Sequence, residues 1–155
     1  MHLHRYEKIW LLIGGGTLVL FLAIVGVQAF AMEAHPPGSL VTVDPNTVTK
    51  EAPFNKPSLT QVGEKEFKAV VVGQMFTFLP NTMEIPAGST VHFEATTPDV
   101  VHGFEIAGTN VNMMLVPGYV NRMTYTFDKP GEYLVVCNEY CGTGHQVMAG
   151  KIIVK

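Results

Sequence analysis

The residues best suited to chemistry lie near the C-terminal end of this 155-residue chain, in the stretch CNEYCGTGHQVM. Cys137, Cys141, His145 and Met148 fall there within twelve residues. Their thiolates, imidazole and thioether are soft ligands, which favour copper over calcium or magnesium. A tetrahedral zinc site would use the cysteines and the histidine but has little use for the methionine. Outside the cytoplasm the two thiols, the only cysteines of the chain, could instead oxidise to a disulfide.

A histidine further up the chain favours a metal site over a disulfide. His102 is predicted to share one face of a strand with Val100, Phe104 and Ile106, because side chains alternate along a strand. A lone histidine on such an apolar face is more often a hydrogen-bonded core residue than a ligand. A β-sandwich can bring this strand and the cysteine loop together at one end, however, and the combined set predicts a copper site.

The number of cysteines bears on the number of copper ions. A mononuclear blue-copper site needs one thiolate, two imidazoles and a weak thioether, so this sequence holds one thiolate too many. Two bridging thiolates, with one histidine for each of two copper ions, would use the whole set. Two thiolates neutralise a pair of Cu(I) ions, and loss of one electron leaves a charge of only +1. So small a charge on a buried site limits the solvation change that accompanies electron transfer. The set shows no open coordination position and therefore predicts an electron relay.

The part of the chain that must position these residues has the sequence pattern of a β protein. Short apolar or alternating runs are separated by turn signals, and they read FKAVVV, TMEI, TVHFEA, VVHGFEI, VNMMLV, VNRMTYTF, EYLVV and KIIV. Many short strands with regular turns indicate a β-sandwich or barrel. We therefore predict one all-β domain over residues 63–155.

The N-terminal part of the chain predicts a membrane anchor. Ile9 to Met32 holds no charged residue and, as a helix, would exceed the roughly 30 Å of a bilayer core. A cleaved signal peptide is the alternative, but its apolar core runs only about 7–15 residues. Arg5 and Lys8 precede the span, so the positive-inside rule places the N-terminus in the cytoplasm and the domain outside. Residues 1–33 are thus assigned to a tail and transmembrane helix, and the proline-rich residues 34–62 to an extended linker.

The composition excludes several classes of protein. Charged residues make up only 15% of the chain, against about 25% in soluble domains, which agrees with a membrane segment. The formal net charge is -3 and no run of Lys or Arg occurs, so nucleic acid is not an expected partner. The length is too small for a large multidomain enzyme.

The stretch that holds the two cysteines and the segment around His102 also resemble a known family. VVHGFEI followed by CNEYCGTGHQVM resembles the binuclear copper A motif of cytochrome c oxidase subunit II. The resemblance implies a cupredoxin-like Greek-key outer domain in which Cys137 and Cys141 bridge two copper ions. It further implies His102 and His145 as terminal ligands, Met148 as an axial ligand and the backbone carbonyl of Glu139 as another. The single predicted helix resembles the short subunit II of B-type, ba3-like oxidases.

The resemblance implies a function in respiration. Such a subunit accepts electrons from cytochrome c and passes them to haem in the catalytic subunit I, where oxygen is reduced to water and protons are pumped. The sequence has no C-x-x-C-H haem motif, so oxygen chemistry is expected on the partner chain. Two alternatives stay open: the copper A subunit of a nitric oxide reductase, and a membrane-anchored copper-binding or copper-delivery protein. A delivery protein needs an exposed, exchangeable site.

Five further residues are singled out, four of them through this resemblance. Phe76 and Phe78 stand where tryptophans are usual, so they are expected near the cytochrome c docking patch, with ordinary strand packing as the alternative. Glu7 could collect protons at the cytoplasmic boundary or be a plain surface charge. The Glu139 side chain could hold a magnesium ion shared with the catalytic subunit or be a solvated loop carboxylate. Asp99 could support His102 or be a turn residue.

Overall fold

The computed structural model describes residues 4–31 and 41–155, which form two compact units. The described part of the first unit, residues 4–31, holds one helix, α1, over Arg5–Phe30. Its 26 residues span about 39 Å and none of them is buried, so the helix is long and apolar enough to cross a membrane. The helix begins four residues before the predicted uncharged span and includes Glu7 and Lys8. Met32, the predicted end of the span, lies outside the described residues.

Within residues 41–155 of the second unit, ten strands form two five-stranded sheets. The first sheet has the order β1-β2-β5-β8 with β3 paired to β2, and the second has the order β4-β10-β9-β6-β7. The strand bounds are β1 Ser58–Gly63, β2 Glu66–Gln74, β3 Thr77–Leu79, β4 Thr82–Ile85, β5 Ser89–Thr96, β6 His102–Ile106, β7 Asn112–Leu115, β8 Asn121–Phe127, β9 Gly131–Val136 and β10 Ala149–Val154.

The main core lies between the inner faces of the two sheets. Phe93 on β5 and Phe104 on β6 are both buried, and their ring centroids lie 5.7 Å apart. Phe104 also packs edge-on against Phe78, with the centroids 5.3 Å apart. The alternation predicted for β6 is present, because His102, Phe104 and Ile106 are fully buried. Val100 precedes the strand and is 37% exposed, so it does not share that face.

The segment before the sandwich differs from the expected extended linker in its second half. Val48 and Phe54 are buried and form a small second core with the outward-facing Val70 and Val72 of β2 and with Val120. The continuous apolar run of β2 has two apolar faces, and this segment covers the outer one. Strand β1 already begins at Ser58. Residues 34–40 of the predicted linker lie outside the described residues.

The second sheet brings the predicted ligands to one end of the sandwich. Strand β6 pairs with both β7 and β9, so its first residue, His102, lies near the end of β9. Strands β9 and β10 pair in antiparallel fashion up to Val136 and Ala149. Residues 137–148, hereafter the copper loop, connect these two strands. The hydrogen bond from the Cys137 N–H to the Met148 carbonyl, 3.2 Å long, closes the base of the loop.

Candidate metal centre

The side chains of the copper loop and β6 converge on a small buried cluster. The two sulfur atoms of Cys137 and Cys141 lie 3.8 Å apart. His102 Nδ1 lies 3.9 Å from the Cys137 sulfur, and His145 Nδ1 lies 3.7 Å from the Cys141 sulfur. The Met148 sulfur is also 3.7 Å from Cys141. Each thiol therefore has an imidazole of its own: His102 lies beside Cys137, and His145 lies beside Cys141.

The sixth predicted ligand atom is a backbone carbonyl. The carbonyl oxygen of Glu139 lies 3.1 Å from the Cys137 sulfur, whereas its side chain lies at the partly exposed surface of the loop. The backbone and the side chain of this residue thus face different surroundings. Both cysteines are free thiols, since their sulfur atoms are much further apart than the roughly 2.05 Å of a disulfide bond.

The cluster is buried, apart from one histidine. His102 is fully buried, Cys137, Cys141 and Met148 are nearly so, and His145 is half-buried beside the exposed ring of Tyr140. Burial raises the pKa of the Cys141 thiol to about 11, and the neighbouring Cys137 adds to this effect. The buried Cys141 thiol therefore resists ionisation unless a cation lies beside it. The site is therefore suited to a metal that supplies the missing positive charge.

A carboxylate fixes the orientation of His102. The His102 Nε2–H donates to Asp99 Oδ1 at 2.9 Å, which leaves Nδ1 facing the cysteine. Asp99 also accepts hydrogen bonds from the backbone N–H groups of Met75 and Val100, each 2.7 Å long, and from the Thr97 hydroxyl. Burial by itself would raise the pKa of Asp99, but these hydrogen bonds outweigh it and hold the pKa below its usual value. Such a carboxylate partner fixes the tautomer of a ligating histidine.

The two phenylalanines predicted for a docking patch differ in position. Phe78 is 1% exposed and packs in the core, so it cannot touch a partner protein, and its predicted place in the docking patch is wrong. Phe76 is half-buried and lies over the copper loop. A Cβ atom added at Gly144 would overlap the Phe76 ring, and one at Gly142 would lie 3.2 Å from it. The glycines of the loop, which the sequence analysis did not single out, therefore provide the space for this ring.

Glu7 belongs to the other compact unit. It lies in the first turn of α1, where its side chain accepts a hydrogen bond of 2.7 Å from the backbone N–H of His4. A carboxylate at this position stabilises the start of a helix. The residue is exposed.

The donor set fits copper. The ligand atoms of His102, Cys137 and Cys141 all lie within 4.8 Å of one another, and His145 and Met148 extend the group through Cys141. Thiolate, imidazole and thioether together select copper, whereas structural zinc sites use thiolates and imidazoles alone. The fit rests on side chains that come from one loop and one strand.

Known proteins resemble the chain in sequence and in fold. The family model described as cytochrome c oxidase subunit II, periplasmic domain, matches residues 64–155. Two subunits 2 of cytochrome c oxidase from Thermus thermophilus are similar to the chain. One is 41% identical over 97% of this chain and 92% of its own length, and the other is 45% identical over 82% and 99%.

Solved structures agree with the sequence comparison. A chain of a heme-copper terminal oxidase dimer superposes with a TM-score of 0.85 at 36% identity, covering 97% of this chain and all of that chain. The periplasmic domain of subunit II of the cytochrome oxidase of Bradyrhizobium japonicum covers 61% of this chain with a TM-score of 0.54 at 21% identity, a likeness of fold alone. The prediction of an all-β cupredoxin-like domain with one N-terminal helix is confirmed. On this evidence the chain belongs to the cytochrome c oxidase subunit II family.

Proposed function

We propose that this chain is the subunit through which electrons enter its haem-copper oxidase, by way of a binuclear copper A centre. As a subunit II it is part of a cytochrome c oxidase, associates with the catalytic subunit I and is anchored in the membrane by α1. One observation carries the proposal: two free thiols 3.8 Å apart, each with the Nδ1 atom of a different histidine beside it. A mononuclear site would leave one of these thiols unused.

The chain's own residues divide the work at this site. Cys137 and Cys141 would bridge two copper ions, His102 and His145 would each hold one, and Met148 and the Glu139 carbonyl would bind weakly. When bound, the copper pair accepts and releases one electron at a time. The buried surroundings and the hydrogen-bonded loop keep the ligands in one arrangement, which lowers the reorganisation that each electron transfer requires.

The surface over the copper loop is the proposed docking site for cytochrome c. Met75, Tyr140 and Val147 are 52%, 74% and 70% exposed, and Phe76 lies beside them over the loop glycines. His145, the more exposed of the two histidines, contacts Tyr140 with a ring-centroid distance of 5.8 Å. Electrons would therefore arrive from the Phe76 and His145 side. The exposed side chains of the copper loop are uncharged and partly apolar, which favours contact through side-chain packing over attraction between charges.

The remaining parts of the function concern the membrane and the partner subunit. The proposed orientation places the start of α1 in the cytoplasm and residues 63–155 on the periplasmic side of the plasma membrane, because Arg5 and Lys8 precede the apolar span. Haem, oxygen reduction and proton pumping would reside in subunit I. Glu7 would lie at the cytoplasmic surface, where a carboxylate could collect protons for the partner.

The Glu139 side chain has a separate proposed role. It would bind a magnesium ion shared with the catalytic subunit, since a hard carboxylate oxygen suits magnesium better than copper. We expect Glu139→Gln to leave the copper spectrum almost unchanged, because only the backbone carbonyl faces Cys137. Manganese bound in place of magnesium in the assembled oxidase should be lost in this variant. Loss of copper from Glu139→Gln would show that the side chain is a copper ligand.

The test of the binuclear centre is a copper count combined with electron paramagnetic resonance of the full-length chain. We expect two copper ions per chain and an unpaired electron shared by both nuclei. One copper with a single-nucleus hyperfine pattern would overturn the proposal. Of the alternatives, a copper-delivery protein is disfavoured by the burial of His102 and both thiols. A nitric oxide reductase would be distinguished by the gas that the purified complex consumes.

A further inference from the structure

We propose that Asn138 is a positioning residue for the copper site, whose side-chain amide clamps the start of the copper loop onto strands β6 and β7. Asn138 lies between Cys137 and Glu139, two of the residues proposed to hold copper. Its own side chain points away from the metal cluster and contacts the outer face of the second sheet. The inference rests on the proposed function, because it concerns how those ligands are held.

The clamp depends on a close approach at Gly103. This glycine follows His102 on β6 and faces the side of the sheet opposite to the core. A Cβ atom added at Gly103 would overlap the Asn138 side-chain oxygen and would lie only 2.8 Å from the Asn138 backbone nitrogen. Asn138 thus occupies the space that a side chain at position 103 of β6 would fill. Glycine is required here for proximity, because any larger residue would push the loop off the strand.

Two hydrogen bonds hold Asn138 in this space. Its Nδ2 donates to Glu105 Oε2 at 2.9 Å and to Asn112 Oδ1 at 3.2 Å. Glu105 and Asn112 are directly opposite each other on β6 and β7. Both hydrogens of the amide are therefore used, and the copper loop is tied to two neighbouring strands at one point.

The Asn138 hydrogen bonds lie close to two of the proposed copper ligands, Cys137 and Glu139. The Glu139 carbonyl lies 3.1 Å from the Cys137 sulfur, so the backbone that joins them passes directly through Asn138. The same clamp fixes the distance of the loop from β6, and with it the 3.9 Å separation of the Cys137 sulfur from His102 Nδ1. Weak axial ligands and partners outside the ligand set tune the potential and the affinity of copper sites. We infer that Asn138 sets both through backbone position.

An exchange of donor and acceptor tests the clamp. Asn138→Asp removes both donors and places a carboxylate beside that of Glu105. The double variant Asn138→Asp with Glu105→Gln has the same total charge as the natural pair. In it an amide at position 105 can donate to a carboxylate at position 138, and Asn112 can donate after its amide turns over. Glu105→Gln alone keeps an acceptor for Asn138 and serves as the matched control.

The measurements use the full-length chain in detergent, loaded with copper. For Asn138→Asp we expect about tenfold weaker copper binding in competition with a chelator, together with a changed resonance spectrum and reduction potential. The double variant should recover most of the lost affinity and the natural spectrum, and Glu105→Gln should resemble the unmodified chain. Gly103→Ala keeps every hydrogen-bonding group but displaces Asn138, so it should change the spectrum as well.

Three results would overturn the inference. The first is an unchanged spectrum and potential in Asn138→Asp, and the second is a double variant as altered as the single one. The third is a lower unfolding temperature of the copper-free chain with an unaltered copper spectrum, as a purely structural hydrogen bond would give. Absence of a shared-spin copper signal from the unmodified chain would overturn the proposed function itself. A shared-spin copper signal that is present in the unmodified chain and unchanged in the variants would overturn the role of Asn138 alone.

Discussion

Two clusters of polar side chains in the β domain show opposite electrostatic behaviour. On the outer face of the first sheet, the carboxylate of Glu94 is 9% exposed and lies between Lys68 and Arg122. Lys68 Nζ is 2.6 Å from one oxygen, and Arg122 Nε is 3.0 Å from the other. Burial by itself would raise the pKa of Glu94, but the two cations outweigh it and the pKa falls below 4.5. This cluster supplies its own countercharges.

The ligand cluster at the copper loop lacks such compensation. Burial raises the pKa of Cys141 to about 11, and Cys137 beside it raises it further instead of offsetting the effect. The two thiols lie beside each other, and each lies beside a ring nitrogen of a histidine, His102 or His145. A buried ionisable group that is shifted toward its neutral form marks a place where a cation from outside the chain can bind. The contrast distinguishes a structural ion cluster from a candidate metal site.

The largest effect on the copper site is expected from removal of one of the two proposed bridging cysteines. Cys137→Ser or Cys141→Ser takes away one of the two thiolates on which a shared copper pair depends. We expect the shared-spin signal to disappear completely from electron paramagnetic resonance spectra of the full-length chain. Survival of that signal in either variant would show that the cysteine concerned does not bridge.

The ion cluster provides the matching experiment. Glu94→Gln should leave the copper spectrum unchanged but lower the free energy of unfolding by about 1–2 kcal/mol, because two half-exposed cations lose their partner. The pKa of Glu94 is lower in the folded chain, so its contribution is fully present above about pH 4.5. It is lost as the pH falls through the folded pKa. Unfolding of both chains at neutral and acidic pH measures this difference, and a constant difference at all pH values would contradict it.

A smaller effect is expected from the thioether. Met148→Leu keeps the buried volume while removing a weak ligand that lies 3.7 Å from the Cys141 sulfur. Two copper ions should still bind, and the reduction potential measured by voltammetry should shift. Loss of one copper ion from this variant would show that the methionine contributes more than a weak axial bond.

The smallest effect concerns charge at the docking surface. Residues 63–155 carry nine acidic and six basic side chains, and the exposed side chains of the copper loop are uncharged and partly apolar. We therefore expect the association rate with cytochrome c, measured by stopped-flow, to depend only weakly on ionic strength. A steep fall in this rate with added salt would show that charges steer the encounter.

The sequence predicted the ligands better than their supporting residues. The spacing of the copper loop and the alternation around His102 fix residue types and faces locally, and the structure places all of these residues together. Phe78 was predicted near the docking patch because it stands, like Phe76, where tryptophans are usual in the family. It lies on β3 and packs in the core, whereas Phe76 precedes that strand and stays half-buried over the copper loop. Val48 and Phe54 looked like linker residues, since their burial depends on the outer face of β2, far along the chain.

The sequence by itself determined the apolar helix, the β character of the domain and the set of side chains that we propose bind copper. Each of these follows from residue type and short-range spacing, which do not depend on distant contacts. Three contacts depend on the tertiary structure. They are the hydrogen bond from His102 to Asp99, the packing of the Phe76 ring against Gly144 and the close approach of Asn138 to Gly103. These contacts join strands and loops across the fold, where shape and hydrogen bonding between distant residues determine which side chains meet. A local pattern cannot encode that pairing, because it arises only when both sheets have closed on one core.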